Sequence, residues 1–141
     1  MWNRAPGTPV QELKAYVVED NAIIRENLIG ALEELTCVRV VGNSATEDAG
    51  QQWLEQNAQD WDMVIVDLFL QHGSGIRLVQ RINRRRTSQK IIVFSNYVNA
   101  SVRKRCAQLG VDAVFDKSTE IDFLVDYCAR NCSQITPEAG T

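Results

Sequence analysis

Three carboxylates, one hydroxyl and one ammonium each follow an apolar run in this chain. Glu19 and Asp20 close "VVED", Asp67 closes "VIVD", Ser95 closes "IVFS" and Lys117 follows "VFD". Singly, each has an ordinary role: Asp20 or Asn21 could cap a helix, Ser95 could begin a turn, and Lys117 could be solvated surface. Asp67 is the hardest to dismiss, because a lone carboxylate inside "VIVDLFL" costs several kcal/mol or shifts its pKa unless something pairs with it. Together the five suit phosphoryl transfer to a carboxylate. Clustered carboxylates repel one another and any incoming phosphoryl group, so a hard divalent cation such as Mg²⁺ must sit among Glu19, Asp20 and Asp67. The cation and the Lys117 ammonium would neutralise charge on the phosphoryl oxygens while an Asp67 oxygen attacks in line, giving an acyl phosphate. Ser95 would donate a hydrogen bond to the new group.

Such convergence needs a scaffold that brings all five to one edge. Strand-like and helix-like stretches alternate through the body of the chain. "LKAYVV" (13–18) reads as a strand, and "NAIIRENLIGALEEL" (21–35) places Ile24, Leu28, Ala31, Leu32 and Leu35 on one helical face, with Asn21 as N-cap. "CVRVVG" (37–42) and "SATEDAGQQWLEQNA" (44–58) form a second pair, Ser44 and Glu47 matching a capping box. Three more pairs follow: "MVIVDL" (63–68) with "GIRLVQRINRRR" (75–86), "KIIVFS" (90–95) with "NASVRKRCAQLG" (99–110), and "DAVFD" (112–116) with "EIDFLVDYCARN" (120–131). Gly110 suits the residue after a helix C-terminus. Continuous apolar runs such as "KIIVF" mark a parallel sheet covered on both faces, hence a doubly wound α/β fold. In such sheets ligands bind beyond the carboxyl ends of the strands, where all five residues fall.

The 141 residues, 45% hydrophobic, suffice for one domain with its own core. The three prolines, Pro6, Pro9 and Pro137, lie towards the ends, so we expect tails at 1–12 and 133–141 around a body at 13–132. A net charge of −3 and a pI near 5.2 give no general reason to bind nucleic acid or an anionic membrane. No apolar run approaches the roughly 18 to 20 residues of a membrane span, and "MWNRAPGTP" lacks the core of a signal peptide, so a cytoplasmic location is expected. There, Cys37, Cys106, Cys128 and Cys132 would stay reduced as small core residues. Cys128 and Cys132 share a helix face, but no CxxC exists and the only histidine, His72, is distant.

At four motifs, "VVEDN", "VIVDLFLQHGSG", "IIVFSN" and "FDKS", the sequence resembles the receiver domain of two-component response regulators, a CheY-like, flavodoxin-like fold. The spacings agree as well, Ser95 lying 28 residues after Asp67 and Lys117 22 residues after Ser95. The resemblance covers about 13–132 and implies a five-stranded parallel sheet of order 2-1-3-4-5. It also implies Asp67 as phosphoacceptor, Glu19 and Asp20 as the acidic pair for Mg²⁺, Ser95 as switch hydroxyl and Lys117 as phosphate partner. The backbone carbonyl of Phe69 would be a further metal ligand. A sensor histidine kinase or phosphotransfer protein would donate the phosphoryl group, switching an interaction surface for a downstream protein target.

Several positions depart from the usual pattern. Ser118 replaces a proline, often cis, after the lysine, which leaves that loop less constrained. Val114 stands where a switch aromatic is usual, and Phe115 should point to the opposite face. Gln71 replaces a proline frequent after the acceptor, and "HGSG" gives that loop two glycines to turn on. Phe69 and Tyr97, two residues beyond the acceptor and the switch hydroxyl, are both bulky and unable to orient a water, which predicts slow autodephosphorylation.

"RRR" (84–86) and "RKR" (103–105) read as solvated helix faces, with positive charge at a helix end favoured by the macrodipole. Alternatively, the fourth helix, fifth strand and fifth helix form a docking or homodimer face, with Arg103, Lys104 and Arg105 meeting an acidic partner. A dehalogenase-type phosphatase would need an Asp where Phe69 stands. An FMN carrier would need a hydroxyl-rich loop where the acidic "EDNAIIREN" lies. A pseudo-receiver acting as a phosphorylation-independent interaction module would be expected to lack Asp67 or Lys117.

Overall fold

The alternation of apolar and amphipathic runs resolves into ten elements in chain order. They are β1 (Leu13–Val18), α1 (Ala22–Leu35), β2 (Val38–Ser44), α2 (Glu47–Gln56), β3 (Met63–Val66), α3 (Gly75–Arg81), β4 (Lys90–Ser95), α4 (Ala100–Gln108), β5 (Ala113–Asp116) and α5 (Ile121–Ser133). This computed structural model describes residues 12–82 and 85–133. The readings made for the tails, the three prolines and Arg84 lie outside the described residues. The strands pair in parallel in the order β2-β1-β3-β4-β5, the doubly wound arrangement expected.

Because side chains alternate along a strand, each buried run feeds two cores. Ala15, Val17, Met63, Ile65, Ile92 and Phe94 pack with Leu28, Leu32, Leu124 and Cys128 of α1 and α5. Tyr16, Val18, Val64, Val66 and Ile91 turn the other way, onto Leu54, Leu78 and Val79 of α2 and α3. Phe115 joins the first core and stacks edge-on with Tyr127, whereas Val114 lies on the opposite face beside Val93 and Cys106.

Asn21 caps α1 as expected, accepting the Ile24 N–H at 3.0 Å. Leu35 is not part of the buried face of α1: it is exposed, being the last helical residue before the chain turns at Thr36. Ser44 does not cap α2 either. It stays in β2 opposite Val18, so the cap falls on Thr46, whose hydroxyl accepts the Ala49 N–H at 3.1 Å. α3 is shorter than the expected 75–86, and Arg85 is no solvated helix residue. Its planar fork donates to the Gln89 and Gly110 carbonyls and meets Asp112 at 3.0 Å, leaving the side chain 13% exposed.

The cysteines also need correcting. Cys37 and Cys132 form a disulfide, because the turn from α1 into β2 and the last turn of α5 bring their Cα atoms to 5.8 Å, within disulfide reach. Cys106 and Cys128 are the buried thiols expected, the latter pushed up to about 12 in pKa by burial. No helix among the described residues is long and apolar enough to cross a membrane.

Candidate functional site

The site is built by letting the parallel ladder run one residue past the strands. Glu19 donates its backbone N–H to the Ser44 carbonyl, Asp67 to Val18 and Lys117 to Ser95, each at 3.0 Å. The first residue beyond β1, β3 and β5 is thus held as rigidly as a strand residue, and Ser95 is itself the last residue of β4. All four side chains are buried: Glu19, Asp67 and Ser95 are 2%, 6% and 0% exposed, and the Lys117 side chain is 7% exposed.

Asp67 is gripped on both oxygens. Ser95 Oγ donates to Oδ1 at 2.7 Å and Lys117 Nζ to Oδ2 at 2.8 Å. Lys117 also reaches Glu19 Oε1 at 2.5 Å, and the Asn21 N–H donates to Glu19 Oε2 at 3.0 Å. Burial raises the Glu19 pKa above the usual carboxylate range, with the Lys117 hydrogen bond acting against it. For Lys117, burial opposes the charge, but the hydrogen bonds to Asp67 and Glu19 outweigh it and raise its pKa. One carboxylate oxygen from each of Glu19, Asp20 and Asp67 lies within 4.8 Å of the others. An all-oxygen, anionic donor set of this kind fits a hard cation such as Mg²⁺.

The β3–α3 loop leaves this cluster and returns to it. Gly75 packs so closely on the Asp67 carbonyl that a Cβ there would lie 2.1 Å from that oxygen. The Phe69 N–H donates to Asp67 Oδ1 at 3.1 Å, and the Gln71 N–H to Asp20 Oδ2 at 2.7 Å. The departure at Gln71 is therefore used, since a proline there would have no N–H to give Asp20. Ser118 likewise ties its own loop, its N–H and hydroxyl both meeting Asp116 Oδ1, at 2.8 and 2.5 Å.

Phe69 and Tyr97, two residues beyond Asp67 and Ser95, are 55% and 82% exposed, their rings edge-on at 6.4 Å. Tyr97 adopts a φ of +58°, a left-handed conformation costly for a bulky residue. Glu19, Asp20, Asp67, Ser95 and Lys117 all reach this edge. Two contributions were missed: the close approach of Gly75, read in the sequence only as a turning glycine, and Glu47, whose carboxylate accepts the Ser74 N–H at 2.8 Å.

The family described as response regulator receiver domain matches residues 15–129. A cyclic di-GMP phosphodiesterase of Thermotoga maritima is 29% identical over 122 residues, 84% of this chain and 32% of that protein. The response regulator UvrY of Escherichia coli K12 is 22% identical over 105 residues, 74% of this chain and 47% of its own length. The match thus spans 32% and 47% of the length of these two curated relatives. Among solved structures, a LuxR-family two-component response regulator from Aurantimonas sp. SI85-9A1 superposes with a TM-score of 0.75 at 20% identity, covering 85% of this chain and 84% of that one.

Proposed function

The chain belongs to the response regulator receiver domain family, and from that premise we propose that Asp67 accepts a phosphoryl group from a phosphohistidine donor. The observation that carries this reading is the grip on Asp67, with a hydroxyl on one oxygen, an ammonium on the other, and two further acidic side chains beside it. The donor is a sensor histidine kinase or phosphotransfer protein. A bound Mg²⁺ would neutralise the carboxylates and the phosphoryl oxygens, held by Glu19, Asp20, Asp67 and the Phe69 backbone carbonyl.

An Asp67 oxygen attacks phosphorus in line, and the bond from phosphorus to the donor's imidazole nitrogen breaks as the acyl phosphate forms. Lys117 is already placed on Asp67, so its ammonium faces the new negative charge at no cost in reorganisation. Ser95 Oγ, now donating to Asp67, passes its hydrogen bond to the phosphoryl group. That transfer of one hydrogen bond from carboxylate to phosphoryl is the local event through which the chain switches a protein surface.

We take 13–132 as the receiver unit, acting as a signalling module rather than as an enzyme with a separate substrate. The phosphodiesterase name belongs to a protein of which this chain covers 32%. The surface formed by α4, β5 and α5 is the docking or homodimer face for the downstream target, with Lys104, Arg105 and the 60% exposed Phe123 on offer to a partner. Arg103 is engaged within the chain by Glu120 at 2.8 Å.

The reading is tested by incubating the protein with Mg²⁺ and acetyl phosphate and measuring intact mass. Gain of one phosphoryl group, lost in Asp67→Asn, supports it. No adduct from any phosphodonor overturns it and leaves a phosphorylation-independent interaction module.

A further inference from the structure

A carboxylate as the first residue of a helix normally serves the macrodipole from solvent. Glu47 instead is 2% exposed, and a charge so buried must be paired and hydrogen-bonded. Its partners come almost entirely from the β3–α3 loop and the first turn of α3. Oε1 accepts the Ser74 N–H at 2.8 Å, and Arg77 Nε donates to Oε1 at 3.0 Å and Oε2 at 2.9 Å. The Glu47 backbone N–H donates to the His72 carbonyl at 3.2 Å. Arg81 adds a longer contact at 3.4 Å. The loop can come this near because residue 73 is glycine: its φ is +101°, and a Cβ there would lie 2.3 Å from Glu47 Cβ.

The same loop is pinned at its other points to the phosphorylation site. The Gln71 N–H is held by Asp20, and the Gly75 N–H by the Leu68 carbonyl at 3.1 Å. Phe69 lies between Asp67 and Gln71, so the position of its carbonyl is set by how firmly 71–75 is anchored. Asp20 and Glu47 are the two side-chain anchors of that stretch. Only the Glu47 side of the pair is buried and the exposed Arg77 is screened by solvent, so the pair contributes little net stability and its value here lies in geometry.

We infer that Glu47 is a positioning residue for phosphorylation: its carboxylate fixes the β3–α3 loop, and through it the Phe69 carbonyl, at the edge of the Asp67 site. The inference rests on the proposed receiver function and on Mg²⁺ being held where that function needs it. Glu47 touches neither the cation nor the phosphoryl group. Its effect falls on metal affinity, where the loss of an outer supporting contact costs about tenfold.

The test uses the full chain and three variants, Glu47→Gln, Glu47→Ala and Arg77→Gln. Mg²⁺ affinity is measured by titration calorimetry without a phosphodonor, Ser74 and Gln71 amide exchange by NMR, and the rate with acetyl phosphate as a function of Mg²⁺. In Glu47→Gln the Mg²⁺ dissociation constant rises about tenfold, Ser74 exchange accelerates, and the rate at saturating Mg²⁺ stays within about twofold of wild type. A lower melting point with the Mg²⁺ dissociation constant unchanged means a merely structural role and overturns the inference. Arg77 is 60% exposed, so Arg77→Gln tests the same clamp if the Glu47 variants fail to fold. Its Mg²⁺ affinity falls in the same direction by about threefold, and no change overturns the inference. If the wild type takes no phosphoryl group but its Mg²⁺ affinity still responds to Glu47, the loop role stands and the proposed function fails. If the wild type is phosphorylated and its affinity does not respond, only the loop role fails.

Discussion

Replacing Lys117 by methionine removes the one cation on two buried carboxylates, and the size of the effect follows from the geometry. Glu19 and Asp67 would be left with oxygens within 4.8 Å of each other, a repulsion of about 3 to 4 kcal/mol at an effective dielectric constant of about 20. Some of that is relieved by proton uptake at Glu19, whose pKa burial already raises. Breaking a buried pair from one side costs about 3 to 5 kcal/mol in general, and the two figures agree. For a chain of this size that lowers the melting midpoint by roughly 10 to 15 °C at pH 7. If a divalent cation shares the site, it supplies the missing positive charge, so Mg²⁺ must stabilise Lys117→Met more than wild type. Saturating the wild-type site to about 100 times its dissociation constant contributes about 2.7 kcal/mol, and the variant gains at least about 1 kcal/mol more at the same Mg²⁺ concentration. Differential scanning calorimetry of both proteins, with and without MgCl₂, reads both effects. A variant melting within about 3 °C of wild type, or equal Mg²⁺ gains in the two proteins, refutes the electrostatic account of the site.

Three further outcomes follow from other parts of the molecule. Phe69→Asn exchanges an exposed ring two residues beyond the acceptor for a carboxamide able to orient water, so the phosphorylated protein loses its label about tenfold faster, measured by intact mass over time; unchanged or slower loss refutes the role given to Phe69. The disulfide closes a sequence separation of 95, so reduction costs about 4 to 5 kcal/mol and lowers the melting midpoint by roughly 12 to 15 °C, while Cys132→Ala is insensitive to reductant. The Arg77 hydrogen bond, chief among the causes, holds the Glu47 pKa below its ordinary 4.5, so in the folded state Glu47 binds fewer protons than in the unfolded chain. Its contribution is therefore full above that value and lost as pH falls through and below it; the gap in melting midpoint between wild type and Glu47→Gln narrows from pH 7 to pH 3, and a constant gap refutes it.

The sheet and its carboxyl edge were legible because both depend on short-range pattern. A run buried on both faces announces itself over five or six residues, as "KIIVFS" does. The first polar residue after such a run can only sit at the sheet's edge, because a parallel sheet points every strand the same way. Glu19, Asp67, Ser95 and Lys117 therefore reach one edge by strand direction alone, and the adjacency of β1, β3, β4 and β5 brings them into contact. Gln71 shows the limit of comparison by pattern: in the sequence it reads only as a missing proline, and in the fold its N–H donates to Asp20.

What stayed hidden shares one physical cause. Glu47 meets Ser74 and Arg77 across separations of 27 and 30 residues, Arg85 meets Asp112 across 27, and Cys37 meets Cys132 across 95. Each pairing joins helices or connecting segments, whose relative placement depends on packing on the sheet and not on the strand ladder. Local chemistry even argued for the wrong partner, since a glutamate three residues after Ser44 fits a capping box. Two things decide against the box. β2 extends through Ser44, which moves the cap to Thr46, and Gly73 carries the neighbouring loop into contact with Glu47. A charge whose local role is lost in this way and which is still buried must be held by something distant. In this molecule the distant partner is the loop that leaves Asp67, which makes α2, an element with no residue at the sheet's edge, part of the machinery that shapes the acceptor site.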